Sequence, residues 1–395
     1  MVKFNNNFEK LKENYLFVDM AKKISKYQDE HPDADIVRLG IGDVTLPICP
    51  VVIKAMHEAV DDMAKKETFK GYGPSEGYDF LREAIAKNYL RYGVEIDKNE
   101  VYVSDGAKND TANIIDIFDV EGDVLIPNPS YPVYVDAAII SGRNIKYLEA
   151  TEENGFLPMP DYNLSPAIIY LCSPNNPTGA VYSKEQLKQW VDYAVKKQAV
   201  IIFDAAYESF IENSEIPHSI FEIENAKKCA IEICSLSKGA GFTGLRCAYT
   251  VVPQELEVGG KNVGKVWLRR QCCKFNGVSY ITQKAALAAF SEEGIKQNKK
   301  SVDYYKQNAK TIREAIEHLG LWYVGGVDSP YFWIKCPNGM TSWEFFDYLL
   351  DKINVVGTPG AGFGSNGEGF FRISCFGDHD RVEEAAKRLK TLKFN

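Results

Sequence analysis

Five short polar segments carry the groups that could do chemistry, and each follows an apolar run. They are SDGAKND (104–110), NPSYPVY (128–134), SPNNPTG (173–179), DAAYESF (204–210) and SLSKGAGFTGLR (235–246). Together they supply an aromatic ring, amides, a carboxylate, a phenol, hydroxyl groups and a lysine. One ligand could need all of these groups: an aromatic cation with a phenolate oxygen, an aldehyde and a phosphate. The composition of the five segments therefore favours a single binding site for such a ligand.

The segment 235–246 is the most unusual of the five. It carries only two charges, those of Lys238 and Arg246, and both are positive. The remaining residues are small, hydroxylated or apolar, whereas a solvated loop or a helix surface usually carries several charges. A second segment, 104–110, is a turn of small residues that leads into a helical pattern. Such a turn leaves backbone N–H groups free to bind an anion.

The apolar runs before these segments predict the strands that position them. The runs are VYV (101–103), DVLIP (123–127), AIIYLC (167–172), AVIIFD (199–204), CAIEIC (229–234) and CAYTVV (247–252). Helical patterns separate them, and in one of these Ser183 and Gln186 are spaced as a capping box. Continuous apolar strands between helices predict an α/β fold with a mostly parallel sheet covered on both faces. Ligands of such sheets bind at the carboxyl ends of the strands, where the polar segments lie.

The C-terminal part of the chain has a different pattern. Surface helices are predicted at 311–320 and 379–392, around strands at 329–336 and 369–375, which is an α+β arrangement. We therefore expect two domains. The large domain covers 48–290, and the small domain is built from both chain ends, 1–47 and 291–395.

Composition and charge exclude several classes of function. The chain has 395 residues, 45% of them apolar and 25% charged, and a net charge of −8, so it lacks the basic excess of a nucleic-acid-binding protein. Its five histidines are widely separated, which argues against a histidine-rich metal site. The nine cysteines have no CxxC spacing and indicate reduced thiols. With no secretory pattern at 1–17 and no apolar run that could span a membrane, we expect a soluble, cytoplasmic protein.

The order and spacing of SPNNPTG, DAAY and SLSKGAGFTGLR resemble those of the fold-type I aminotransferases that use pyridoxal 5′-phosphate. The resemblance implies that the large domain binds this cofactor and that Lys238 attaches it as a Schiff base. It also implies three catalytic residues, which are Lys238, Tyr207 and Asp204. The segment 235–246 is then explained, since it would supply both the reactive amine and ligands for the phosphate.

The same resemblance assigns the remaining cofactor contacts. Asp204 would pair with the pyridine nitrogen, Tyr207 and Asn176 would bind the phenolate oxygen, and Tyr131 would stack on the ring. The phosphate would be held by Ser235, Ser237, Arg246 and the backbone amides of Ala107 and Lys108.

A closer resemblance covers nearly the full chain. ENYLF (13–17), RLGIGD (38–43), GYGPSEGYDFLREAI (71–85), SDGAK (104–108), RRQCCKFNGVS (269–279) and FFRISCFG (370–377) are similar to segments of the LL-diaminopimelate aminotransferases. The family match implies a homodimer in which Tyr72 and Asn276 reach the active site of the neighbouring subunit, Tyr72 contacting both cofactor and substrate. It implies that Arg372 binds the substrate α-carboxylate. It also implies that the substrate site is lined by Tyr15, Gly42, Lys108, Tyr131 and Asn176.

Two departures from that family bear on the substrate. The family usually has YGPEQGY, whose glutamate receives the distal ammonium of diaminopimelate, whereas this chain has Ser75 at that position and Glu76 next to it. After FNG the family usually has SN, but this chain has Ser279 and Tyr280. The resemblance thus implies a lysine-biosynthetic exchange, LL-diaminopimelate and 2-oxoglutarate with tetrahydrodipicolinate and glutamate. The alternatives are a related aminotransferase for an aromatic or aliphatic amino acid, and a catalytically idle, cofactor-binding regulator.

Overall fold

The computed structural model of the chain describes residues 2–11, 16–40 and 42–394. The strands are β1 (Val37–Arg38), β2 (Val101–Ser104), β3 (Asp123–Asn128), β4 (Asn144–Glu149), β5 (Pro166–Cys172), β6 (Val200–Asp204), β7 (Ala230–Ser235), β8 (Ala248–Val251), β9 (Glu257–Val258), β10 (Lys261–Asn262), β11 (Tyr323–Gly325), β12 (Tyr331–Lys335), β13 (Val355–Val356), β14 (Thr358–Pro359) and β15 (Phe370–Ser374). The α-helices are α1 (Leu16–Glu30), α2 (Pro50–Met63), α3 (Asp79–Tyr89), α4 (Ala107–Asn113), α5 (Pro132–Ile140), α6 (Lys184–Lys197), α7 (Leu236–Gly239), α8 (Val263–Lys274), α9 (Tyr280–Ala289), α10 (Glu292–His318), α11 (Ser342–Ile353) and α12 (His379–Leu389).

A large sheet forms the centre of the fold. Its seven strands among the described residues follow the order β2-β8-β7-β6-β5-β3-β4. The neighbouring pairs from β4 to β7 are parallel, and β8 runs antiparallel to both β2 and β7. The predicted mostly parallel sheet is therefore confirmed. The strands that precede the five polar segments all end at the same edge of the sheet.

Alternating strand residues fill two hydrophobic cores, one on each face of the sheet. On β5, Ile169 and Leu171 belong to one core, whereas Ile168 and Tyr170 belong to the other. Because both faces are covered, the strands are continuously apolar rather than alternating. Helix α6 covers one face with Leu187, Trp190, Val191, Tyr193 and Ala194. The expected capping box between Ser183 and Gln186 is present at its start.

A third core packs around a smaller sheet with the order β11-β12-β15-β14. It combines N-terminal residues such as Met20 and Val37 with C-terminal residues such as Ile312, Phe346 and Val382. Strand β1 also pairs in parallel with β13, which joins the two ends of the chain. The same core also contains Phe156 and Phe210. The division into a large domain, 48–290, and a small domain built from both chain ends stays a prediction.

Two connections fix the backbone around the edge where the polar segments meet. The first is the segment after Gly42, where the N–H groups of Thr45 and Leu46 donate hydrogen bonds of 2.7 and 2.8 Å to the hydroxyl oxygen of Tyr305 on α10. The second is the segment 236–247, whose ends are closed by the pairing of Ser235 with Ala248 across β7 and β8. This segment therefore leaves the sheet and returns to it at one point on the edge.

Candidate active site

A cavity of about 300 Å³ lies at the carboxyl edge of the large sheet. It collects twelve of the residues predicted from sequence: Gly42, Ala107, Lys108, Tyr131, Asn176, Asp204, Tyr207, Ser235, Ser237, Lys238, Arg246 and Arg372. Phe17, Ala206, Thr243 and Tyr331 complete its lining. The fold thus brings together residues that are more than 300 positions apart in the sequence, from Gly42 to Arg372.

Lys238 lies on the short helix α7, directly after β7, and its ammonium group donates a hydrogen bond to the carbonyl oxygen of Gly42. Desolvation lowers the pKa of Lys238 from 10.5 to about 8. The charge of Asp43 opposes this shift, whereas the charges of Arg372 and Arg246 reinforce it. An amine with such a pKa is partly neutral near pH 7, which a nucleophile or base requires.

Asp204 ends strand β6, and its carboxylate is buried against the cavity. The phenol of Tyr134 on α5 donates a hydrogen bond of 2.6 Å to its Oδ2, and the N–H of Ala206 donates one of 3.1 Å to its Oδ1. Burial raises the pKa of Asp204, and these two donors oppose that effect by favouring the anion. Tyr134 was not predicted from the sequence, although it follows Tyr131 by about one helical turn.

An anion-binding end of the cavity forms around Arg246. Its guanidinium donates to the hydroxyl of Ser237 at 3.4 Å, and the hydroxyl of Ser235 accepts a hydrogen bond of 3.1 Å from the N–H of Ser237. Gly106 has φ +140°, and a Cβ atom there would clash with the guanidinium of Arg246. The absence of a side chain at Gly106 therefore leaves the space that the arginine occupies, beside the first residues of α4.

Arg372 on β15 is 1% exposed and is held by three acceptors. Its guanidinium donates to Oδ1 of Asn176 at 2.7 Å, to the carbonyl oxygen of Gly40 at 2.8 Å and to the hydroxyl of Thr358 at 3.4 Å. Its Nε has no hydrogen-bond partner among the described residues. A fixed, buried guanidinium with unused donor capacity at the wall of a cavity suits a carboxylate.

Two tyrosines meet in the cavity, and sequence reasoning identified only one of them. The hydroxyl groups of Tyr207 and Tyr331 lie 2.8 Å apart. The guanidinium carbon of Arg372 lies 4.4 Å from the ring centroid of Tyr331. A Cβ atom at Gly42 would clash with the hydroxyl of Tyr331. The segment that contains Tyr331 predicted only a strand, because its sequence has no local feature that distinguishes a cavity residue from a core residue.

The residues assigned to a neighbouring subunit lie on the surface of this chain. The side chain of Tyr72 is 91% exposed, and Asn276 is exposed as well. Tyr15 lies outside the described residues. Of the two departures from the family pattern, Glu76 lies 3.8 Å from the guanidinium of Arg82, while the hydroxyl of Tyr280 donates to Asp62 at 2.8 Å.

No group of metal-ligating side chains is found among residues 2–11, 16–40 and 42–394. Across the same residues no helix is both long and apolar enough to span a bilayer. All nine cysteines are free thiols, and Cys272 and Cys273 are the two exposed ones.

Comparison with known proteins identifies the family of the chain. Residues 34–389 match the family described as aminotransferase class I and II. The chain belongs to this family. Aminotransferases of this family are enzymes that depend on pyridoxal 5′-phosphate, so this aminotransferase uses that cofactor, and its architecture is fold-type I.

The similarity to individual aminotransferases extends over the full length. LL-diaminopimelate aminotransferases from Bacteroides thetaiotaomicron and Agathobacter rectalis are each 50% identical to this chain over 99% of it, and over 99% and 100% of their own lengths. The solved structure of L,L-diaminopimelate aminotransferase from Chlamydomonas reinhardtii is 39% identical. It superposes with a TM-score of 0.93 and covers 99% of this chain and 98% of that one.

Features of the cavity itself also fit the cofactor. Positive side chains line it, which suits a phosphate and the carboxylates of amino acids and keto acids. The space left by Gly106 admits Arg246, and Arg372 retains a buried donor. The buried carboxylate of Asp204 provides an anionic partner for a pyridinium.

Proposed function

We propose that this aminotransferase exchanges amino groups between LL-diaminopimelate and 2-oxoglutarate, with tetrahydrodipicolinate and glutamate as the other pair, in lysine biosynthesis. The observation that carries the proposal is the 50% identity to two LL-diaminopimelate aminotransferases over essentially the whole of each chain. In the direction from diaminopimelate, the keto acid that forms loses water on cyclising to tetrahydrodipicolinate.

We further propose how this chain holds its cofactor. The phosphate binds to Arg246, to the hydroxyls of Ser235 and Ser237, and to the backbone N–H groups of Ala107 and Lys108. The ring packs against Tyr131, its pyridine nitrogen pairs with Asp204, and its phenolate oxygen accepts hydrogen bonds from Asn176 and Tyr207. When bound, pyridoxal phosphate supplies an aldehyde that condenses with amines and an aromatic ring that withdraws electrons from the substrate α-carbon.

Lys238 is the proton-transferring base of this mechanism. Its Nζ takes the proton from the α-carbon of the amino acid. Burial favours the neutral amine that this step needs, since the pKa of Lys238 is lowered to about 8. Gly42 orients the amine through its carbonyl oxygen. The cavity wall around Lys238 includes the aromatic side chains of Phe17 and Tyr331.

Arg372 binds the α-carboxylate of each substrate in turn. The guanidinium is already oriented by Asn176, Gly40 and Thr358, so little conformational entropy is lost when a carboxylate binds. Because donor and acceptor both carry an α-carboxylate, one arginine serves both halves of the exchange. Gly42, Tyr131 and Asn176 line the substrate site beside it, together with Lys108, Tyr15 and the partner-supplied contacts.

The active enzyme is proposed to be a cytoplasmic homodimer in which Tyr72 and Asn276 enter the active site of the other subunit. The exposed positions of both side chains are compatible with this arrangement, since a side chain that is 91% exposed, as Tyr72 is, is accessible to another subunit. Free thiols at all nine cysteines support a reducing compartment.

The test is an assay of the purified, cofactor-loaded enzyme with 2-oxoglutarate and a panel of amino donors. We expect LL-diaminopimelate to give the highest kcat/KM. If an aromatic or aliphatic amino acid is instead turned over well and diaminopimelate is not, the proposed substrate is wrong and the aminotransferase assignment stands. Turnover of no donor, with cofactor bound, would support the regulator alternative.

A further inference from the structure

The buried phenol of Tyr134 donates a hydrogen bond to Asp204. Tyr134 is not among the proposed cofactor contacts. Tyr134 is 1% exposed and Asp204 5% exposed, and the O–H of Tyr134 lies 2.6 Å from Oδ2. The distance is short for a hydrogen bond between oxygens, as expected when the acceptor is ionised. Tyr134 lies in the first turn of α5, whose N-cap residue is Tyr131, whereas Asp204 ends β6.

The donors leave one side of the carboxylate available. Tyr134 occupies Oδ2 and the N–H of Ala206 occupies Oδ1, and each oxygen retains a second acceptor position. Asp204 also lines the cavity, while Tyr134 does not. The two donors therefore fix the plane of the carboxylate, with Tyr134 on the side away from the cavity lining, and the remaining acceptor positions are those that can serve a ligand.

We propose that Tyr134 is a positioning residue that keeps Asp204 ionised and aimed at the pyridine nitrogen of the cofactor. This inference rests on the proposed role of Asp204, and it is independent of which amino acid is the substrate. A carboxyl group buried in an apolar environment favours its neutral form, and a neutral carboxyl cannot stabilise a pyridinium as an ion pair. A donor with no competing solvent restores the preference for the anion.

The phenol is suited to this task because it does not ionise. Burial and the charge of Asp204 raise the pKa of Tyr134 well above its ordinary value, so its proton stays available for donation. The other titratable groups around Asp204 are Tyr170, Cys172 and, across the cavity, Lys238 and Tyr207. Burial raises the pKa values of the first two and of Tyr207, and the pKa of Lys238 is about 8. Of these groups only Lys238 changes charge between pH 5 and pH 8, and it is present in every variant. A difference between a variant and the wild type in that range therefore reports on Asp204 or the cofactor.

The experiment compares Tyr134→Phe with a matched control, Tyr170→Phe. The ring of Tyr170 stacks on that of Tyr134 with centroids 4.8 Å apart, and Tyr170 is equally buried, but its hydroxyl donates to the carbonyl oxygen of Thr111. Each variant loses one buried hydroxyl, so the loss of folding stability should be similar. The readout is the dissociation constant of pyridoxal phosphate from the protein, measured by spectroscopic titration between pH 5 and pH 8.

We expect Tyr134→Phe to weaken cofactor binding by about tenfold to a hundredfold, the range for one hydrogen bond to a buried charge. Loss of this hydrogen bond raises the pKa of Asp204. The affinity for the cofactor should therefore begin to fall on acidification at a higher pH than in the wild type. Tyr170→Phe should change neither quantity. In an Asp204→Asn background the effect of Tyr134→Phe should largely disappear, because the two residues act through one interaction.

Three results would overturn the inference. These are wild-type affinity in Tyr134→Phe, an equal loss in Tyr170→Phe, or a full additional loss in the Asp204→Asn background. Tyr134→His retains a ring donor and should bind the cofactor with an affinity closer to that of the wild type than Tyr134→Phe does. Its comparison with the wild type provides a second measurement should the phenylalanine variant fold poorly, and a hundredfold loss in Tyr134→His would contradict the inference. Equal binding by the two variants would also contradict the inference. A failure of the diaminopimelate assay would leave all of these binding measurements intact.

Discussion

Nη1 of Arg372 lies 2.7 Å from Oδ1 of Asn176, and this hydrogen bond links the four-stranded sheet to the loop that follows β5 of the seven-stranded sheet. Arg372 lies on β15 of the four-stranded sheet, whereas Asn176 follows β5 of the large sheet. The guanidinium of Arg372, which we propose binds the substrate carboxylate, is thus held in position by a residue of the cavity wall. A change at either residue is expected to alter the position of the substrate as well as its affinity.

Arg372→Lys should raise KM for both the amino donor and the keto acid, by about tenfold or more, because an ammonium group cannot reproduce the planar fork of arginine. The absorbance spectrum of the bound cofactor should stay unchanged. Arg381→Lys is the control, since Arg381 forms a bidentate ion pair with Asp35 at the surface and should have little effect. An increase of KM for one substrate only would place Arg372 at the distal end of the substrate.

The lowered pKa of Lys238 predicts the pH dependence of the rate at which the cofactor-free protein reacts with pyridoxal phosphate. Only the neutral amine attacks an aldehyde, so the rate of attachment should rise with pH to a midpoint near 8 rather than near 10.5. Asp43→Asn removes a negative charge that raises this pKa, so the midpoint should fall below that of the wild type. Stopped-flow absorbance measures the rate. Borohydride reduction and peptide mapping should then label Lys238, and a label at Lys108 would refute the assignment.

Shared active sites predict complementation between inactive variants. Lys238→Ala and Tyr72→Phe should each be nearly inactive alone. After mixing and subunit exchange, each heterodimer would contain one intact site, so about a quarter of the wild-type activity should return in a random mixture. The control mixture is Lys238→Ala with Asp204→Ala, whose lesions both lie in their own cavities and leave no site intact. Free exchange of subunits without recovered activity would disprove sharing of Tyr72.

Ser75 predicts looser selection of the distal ammonium of diaminopimelate. A serine hydroxyl accepts a hydrogen bond without the charge that strengthens it, and Glu76 already lies near Arg82. Ser75→Glu should therefore increase the ratio of kcat/KM for diaminopimelate over lysine by about tenfold, or about 1.4 kcal/mol. Ser75→Gln has nearly the same size without the charge and serves as the control. An equal gain in both variants would show that size rather than charge determines the selection.

Much of the site could be predicted from the sequence because its signals are local. Apolar runs ending in polar segments mark the strand ends, and a parallel sheet necessarily places those ends on one edge. The lysine turn after β7 and the carboxylate after β6 were found in this way. Their roles came from the resemblance to the aminotransferases, because a lone lysine or aspartate at a strand end has many possible uses.

Contacts between distant segments could not be predicted in the same way. Tyr331 approaches Tyr207 only because the smaller sheet packs over the edge of the large one. Strand β4 was missed as well, since most of its residues are not buried and it lacks a continuous apolar run. The helical pattern expected after the turn 104–110 starts within that turn, at Ala107, and its α-helical part ends at Asn113, followed by a 3₁₀ turn that begins with the β-branched Ile114 and Ile115.

The closure of the segment 236–247 by Ser235 and Ala248 has a consequence for how sequences of this kind can diverge. Lys238 stands near the start of the segment and Arg246 at its end, and both must reach the same cavity. An insertion or deletion between them would displace one relative to the other, so the interval has a fixed length. The hairpin of β9 and β10 contacts no part of the cavity and ends in exposed glycines at 259 and 260. Aligned relatives should accordingly carry gaps at that hairpin and none between the lysine and the arginine.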